Sequence, residues 1–280
     1  MKRAQLSLPA VLIFGLSFVL AASSAVAADS PIQSRARPFG LDIVNKVQLA
    51  GSDAKAADFQ TKTLPSLQSL IDANLKEGSA VSNFGMLQLD PSKLALTTAT
   101  DARVYFVGEG TKYRNTLGFN TDGAGVDSDD PLLIFPNASS AVDYAKPSST
   151  DAKRTTSKPL LAGDYVDLGT LAAGSQVNFF LIADGAKKPG SVYSTDKSIN
   201  PDGIDHVIAF SSPDSPYLLI GFEDMYGGGD RDYNDLLFAV DLGSGNVGGL
   251  PGVPEPAMGF VLLSFLAIGL FLSRKDKQTR

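Results

Sequence analysis

Five carboxylates and one carboxamide crowd into a single glycine-rich stretch: Glu223, Asp224, Asp230, Asp232, Asn234 and Asp235, between Gly221 and Asp241. Groups this dense repel one another. They must splay into water, take up protons or hold a cation. A hard, oxygen-seeking ion such as Ca2+ suits the set, because it accepts carboxylates, an amide oxygen and backbone carbonyls in an adaptable shell. Asp230, Asp232 and Asn234 alternate with Arg231 and Tyr233. That spacing can aim three oxygen donors inward and the two intervening side chains away. Gly227, Gly228 and Gly229 give the backbone conformations closed to other residues. The six acidic and amide residues are the expected metal ligands. A solvated acidic turn is the competing reading. Asp-x-Asp-x-Asn begins like an EF-hand loop, but Asp235 stands where that loop needs glycine, and a strand-like run follows instead of a helix. Nonapeptide calcium repeats need several stacked copies, and the chain has one such stretch.

Other chemistries are thinly supplied. Cysteine is absent, which excludes disulfides, thiolate metal sites and a lipidated cysteine. The single histidine, His206, follows Asp205, and the body has neither a Gly-x-Ser-x-Gly elbow nor a His-Glu-x-x-His pair. It reads as a strand residue. Paired carboxylates can serve a glycosidase, yet acids packed into one turn suit an ion better than two sides of a sugar. No catalytic residue is assigned, and the chain is read as non-enzymatic. A glycan-binding module is the alternative, although tryptophan, a favoured flat platform for sugars, is absent. A second acidic turn, Asp122 with Asp127, Asp129 and Asp130, reads as a plain exposed turn or as a second ion site.

The elements that must carry the acidic stretch are short apolar runs. Tyr217–Phe222 precedes it and Leu236–Val240 follows it, both rich in Leu, Ile, Phe and Val. Similar runs are Arg103–Val107, Leu132–Phe135, Gln176–Ile182 and His206–Phe210, with a weaker one at Asp164–Leu168. Turn signals separate them, among them Asp122-Gly123, Asp184-Gly185 and Pro201-Asp202-Gly203. With 27 glycines, 16 prolines and 19% charged residues in 280, the chain is expected to be mainly β, with a β-sandwich or jelly-roll-like domain. One helical segment is expected over Asp53–Glu77, where Leu64, Leu67, Leu70, Ile71 and Leu75 form one apolar stripe suited to packing on a sheet. Thr63 is its expected cap and Gly78 its stop.

The formal net charge is −6. Lys2, Arg3, Arg274, Lys275, Lys277 and Arg280 lie at the two ends, so the body is more acidic still. Such a body should attract cations and avoid nucleic acid. Residues 1–27 read as a signal peptide, with a basic start, an apolar core over Leu6–Leu20 and the small-x-small site Ala25-Val26-Ala27. Residues 28–100 are a lead-in with the helix, 101–242 the β domain, and 243–253 a Gly-rich linker. Residues 254–280 form a tail in which Ala257–Leu272 is almost wholly apolar and can span the inner membrane as a transmembrane helix, with Arg274, Lys275 and Lys277 on the cytoplasmic side.

That tail, with Pro254-Glu255-Pro256, the apolar segment and Arg274-Lys275, resembles the PEP-CTERM sorting signal of exported bacterial proteins. The resemblance implies an exosortase-type processing enzyme as partner, transient anchorage in the inner membrane, and a place at the cell surface or in the exopolysaccharide matrix. The body resembles domain-of-unknown-function family 4114, found in secreted, adhesin-like bacterial proteins. The likeness is carried by Phe222-Glu223-Asp224 with Gly228-Gly229-Asp230-Arg231-Asp232-Tyr233-Asn234-Asp235, by Val107-Gly108-Glu109-Gly110 with Tyr113–Gly118, and by Phe179–Gly185. It spans about 101–242 and strengthens the expectation of a bound ion.

Overall fold

The computed structural model describes residues 31–81, 87–142, 152–212 and 214–252. The expected signal peptide and the expected sorting tail with its transmembrane helix lie outside them. Among the described residues no helix is long and apolar enough to cross a membrane.

The seven apolar runs form strands as expected, and three strands that were not expected, at Leu87–Leu89, Thr116–Asn120 and Val192–Ser194, join them. They are β1 (Leu87–Leu89), β2 (Thr100–Gly108), β3 (Thr116–Asn120), β4 (Leu132–Phe135), β5 (Tyr165–Leu171), β6 (Asn178–Ile182), β7 (Val192–Ser194), β8 (Val207–Ser211), β9 (Tyr217–Phe222) and β10 (Leu236–Asp241). A six-stranded sheet runs β1-β8-β9-β10-β2-β5, and a four-stranded sheet runs β4-β3-β6-β7. Every strand pairing is antiparallel. The chain is mainly β, as its composition implied.

The two sheets face one another across a shared core. Val104 and Phe106 of β2, Ile220 and Phe222 of β9, and Phe238 and Val240 of β10 meet Leu117, Phe119, Phe179 and Leu181 of the smaller sheet. The rings of Phe179 and Phe238 lie 5.2 Å apart, edge to face. Side chains alternate across a strand, so Tyr105, Val107, Leu219, Leu237 and Ala239 project from the other face of the large sheet. That face is covered by the helical segment. Burial on both faces explains why β9 and β10 read as continuous apolar runs without polar alternation.

The helical segment begins where the Asp53 carboxylate accepts the Ala56 N–H at 2.7 Å. It continues as α1 (Ala54–Asp58), a π-helical turn at Phe59–Thr63, and α2 (Leu64–Asn74). Thr63 therefore lies inside the run and makes no capping bond. Leu64 and Leu75 are buried on the sheet beside Phe59, with Leu67, Leu70 and Ile71 packed against them. The apolar stripe is spent on the body.

The expected linker is a correction. Ser244–Gly248 form a short helix, α3, and Val247 and Leu250 join the main core. Asn246 fixes the segment: its Oδ1 accepts the N–H groups of Thr97 and Thr98, and its Nδ2 donates to the carbonyls of Thr98 and Leu242. Glycine-rich composition suggested flexibility, but one buried amide with four backbone partners outweighs it.

Candidate metal centre

Strands β9 and β10 are adjacent and central, paired from Leu236–Phe222 to Asp241–Tyr217. Their connection, residues 223–235, is the acidic stretch. Gly227, Gly228 and Gly229 all take positive φ, at 82°, 81° and 48°. Arg231 and Tyr233 do the same at 62° and 54°. Left-handed backbone costs a side-chain-bearing residue roughly 1 kcal/mol or more and persists where the surroundings fix it. Here it falls on the two residues that alternate with Asp230, Asp232 and Asn234, so the backbone curls around the oxygen donors.

The segment after α2 docks on this tip. Gly78 donates its N–H to Asp232 Oδ2 at 2.8 Å, and Val81 donates its N–H to the Arg231 carbonyl at 2.9 Å. Docking brings in a residue that the local motif does not contain. One carboxylate oxygen from each of Glu77, Asp230 and Asp232 lies within 4.8 Å of the others. Asn234 stands beside them. Its Nδ2 faces the Leu75 carbonyl at 3.5 Å, a position only a donor can hold, which leaves Oδ1 buried with no hydrogen-bond partner. Glu223 is fully buried. Its Oε1 accepts the Tyr233 N–H at 2.8 Å, while Oε2 has no partner.

Two glycines leave room at these orphaned oxygens. A Cβ on Gly110 would lie 2.1 Å from Asn234 Oδ1, and a Cβ on Gly229 would lie 2.3 Å from Glu223 Oε2. Real carbon–oxygen contacts do not approach so closely. An unpaired buried oxygen costs about 1–3 kcal/mol, and a cation between the exposed Glu77 and Asp230 and the buried Asp232 would offset that cost at Asn234 Oδ1.

Electrostatics agree. Burial pushes the Glu223 carboxyl up to about 7, with Asp232 and Asp230 adding to the rise. Burial also raises Asp232, and burial together with Asp232 and Asp230 raises Glu77. Burial first, and the neighbouring carboxylates after it, work against the charged form of each of these groups, which is the condition a divalent ion relieves.

The structure does not bring all six expected ligands together. Asp230, Asp232 and Asn234 converge, whereas Glu223, buried in the same hairpin, is not among the acids that lie within 4.8 Å of one another. Asp224 and Asp235 pair with one another to one side: the Asp224 N–H donates to Asp235 Oδ2 at 2.9 Å, and Asn115 Nδ2 donates to Asp224 Oδ2 at 2.8 Å. Burial raises both carboxyls, so a proton is favoured between them. Glu77 was missed because it is remote in sequence. A carboxylate at the unfavourable negative end of a helix was the available signal.

The second acidic turn does not gather oxygens in this way. Asp122 closes its own turn by accepting from the Ala124 N–H and the Ser128 hydroxyl. Among the described residues the Glu77–Asp230–Asp232 group is the one set of three or more convergent acids. His206 is buried and structural. Its ring stacks on Tyr193 at 3.8 Å and bridges the Glu223 carbonyl, at 3.2 Å, to Asp202.

The site and fold together define a two-sheet antiparallel domain with an acidic, oxygen-lined hairpin tip. Residues 171–243 match the family model described as Domain of unknown function (DUF4114). The match runs from the end of β5 to just beyond β10 and so contains the hairpin and its candidate ligands. Glu77 and the Val107–Gly118 motif lie outside it. Neither the curated proteins nor the solved structures contain a match to this chain.

Proposed function

We propose that the chain is an exported, calcium-stabilised protein of the cell surface or extracellular matrix, without enzymatic activity. The observation that carries this reading is the buried Oδ1 of Asn234, without a protein partner, beside the converging carboxylates of Glu77, Asp230 and Asp232, with a second such oxygen, Glu223 Oε2, in the same hairpin. The donor set is all oxygen, mixes charged and neutral groups and hangs on loops. Those traits favour Ca2+ over the smaller, stricter Mg2+. The ion ties the end of α2 to the β9–β10 tip and supplies the staple that a cysteine-free exported domain lacks.

Export is supported by the leader at residues 1–27. Sorting by an exosortase-type enzyme, with transient anchorage in the inner membrane, is supported by the order Pro254-Glu255-Pro256, apolar segment and basic end. Exopolysaccharide or neighbouring surface proteins are the partners this destination implies.

Calorimetric melting in calcium and in chelator tests the ion. An ion present at a hundred times its dissociation constant stabilises the folded state by about 2.7 kcal/mol. The midpoint should rise with calcium in the wild type and stay put in Asp230→Ala and Asp232→Ala. A wild-type midpoint indifferent to calcium would sink the reading.

A further inference from the structure

A cavity of about 590 Å3 opens between the end of α2 and the outer face of the large sheet, and the candidate metal centre forms part of its wall. Glu77 and Asn234 line it, whereas Asp230 and Asp232 do not. A cation held by Asp230 and Asp232 from the hairpin side is therefore reached from the cavity past Glu77 and Asn234. The buried Oδ1 of Asn234, with no partner of its own, marks the point where the two meet. Ca2+ takes six to eight oxygens, and the four side chains gathered here, Glu77, Asp230, Asp232 and Asn234, leave room in its shell for oxygens brought from the cavity.

The rest of the lining restricts what can bring them. Ile71, Leu75, Val107 and Leu237 give aliphatic walls, and Gln68 and Ser140 add an amide and a hydroxyl. Asp72, Glu77 and Glu109 also face the space with one cation, Lys76, so an anionic ligand would meet an excess of carboxylates. A neutral molecule offering paired hydroxyls meets no such barrier. Its C–H face suits aliphatic walls, and the volume lies within the usual range for small-molecule sites. We infer that this cavity is a calcium-dependent subsite for a neutral saccharide, in which two vicinal hydroxyls complete the shell of the ion; the inference rests on the cation reading above. No aromatic side chain lines the cavity, so no stacking platform compensates for a missing ion, and binding stops when calcium is removed.

The test pairs melting with an array of neutral oligosaccharides and matched uronates, probed with the protein in millimolar calcium and again in EGTA. Two variants fill the cavity without touching the ion's ligands: Ile71→Trp on the wall, and Gln68→Trp on the exposed rim in case the first disturbs packing. The wild type should bind neutral oligosaccharides in calcium and lose them in EGTA. The variants should keep the calcium-dependent rise in melting midpoint and lose the sugar. A calcium shift with no neutral saccharide bound overturns the subsite and leaves the cation reading standing. Saccharide binding that survives EGTA, or binding confined to uronates, also overturns it. No calcium shift at all removes the cation reading and the subsite with it.

Discussion

Burial holds the Glu223 carboxyl near 7, while one of its oxygens has no donor. In the unfolded chain the same group ionises near about 4.3. Its folded value is raised, so the stability it contributes is fully present below the unfolded value and is lost as pH climbs through the folded one. Without calcium, the protein should therefore melt lower as pH rises from about 4.5 to about 7. Calcium bound at the proposed centre should reverse the preference by rewarding the ionised form, so the gap between midpoints in calcium and in chelator should widen over the same interval. Scanning calorimetry across that range checks both slopes, and a gap independent of pH contradicts them. Glu223→Gln separates the two effects. It removes a buried charge, so it should raise the calcium-free midpoint at pH 8 while weakening calcium binding. Gly110→Ala acts on space alone: its Cβ would strike Asn234 Oδ1. Calcium titration should show a loss of affinity of about tenfold, equivalent to about 1.4 kcal/mol.

At the scale of elements, the centre belongs to two pieces of chain that meet only in the folded state. The hairpin supplies Asp230, Asp232 and Asn234; the segment after α2 supplies Glu77 and docks through Gly78 and Val81. Calcium should therefore protect both pieces from hydrogen exchange, residues 64–81 as well as 223–235. Glu77→Ala should abolish the protection of the first piece and weaken that of the second. Protection confined to the hairpin would show that α2 plays no part. The same division explains what the sequence disclosed. Strands β9 and β10 were legible because Leu, Ile, Phe and Val fill both faces of each, and the acidic tip was legible because its donors lie within a few residues. Glu77 joins them through tertiary docking alone, and no local pattern reports that. Strand β3 was hidden for a related reason. Gly118 interrupts its apolar pattern because a Cβ there would lie 2.3 Å from the Phe180 ring, so the glycine serves packing where it reads as a break.

For the whole molecule, the question is where the body ends and the stalk toward the proposed membrane tail begins. Composition put that boundary at Gly243, after the last strand. The fold puts it beyond residue 250, because α3 and its successor complete the core. Val247 and Leu250 are buried against both sheets' shared interior, the Asp90 N–H donates to the Pro251 carbonyl at 2.9 Å, and Asn246 accepts from the N–H groups of Thr97 and Thr98 and donates to the Thr98 carbonyl. Removing that amide breaks four hydrogen bonds made by a buried side chain, each worth about 0.5–1.5 kcal/mol net. Asn246→Ala should thus lower stability by at least about 2 kcal/mol in urea unfolding. A body that starts at Ala28 and stops at Leu242 should melt well below one that stops at Gly252, although the whole of the acidic hairpin is retained in both. Equal midpoints would mean that the segment is a linker after all. If the longer body is the stable one, a protease attacking the folded protein should spare the chain up to about residue 252 and cut beyond it. Gly243, at φ 77°, then serves the turn into α3, and the Gly-rich composition of the segment does not make it a stalk.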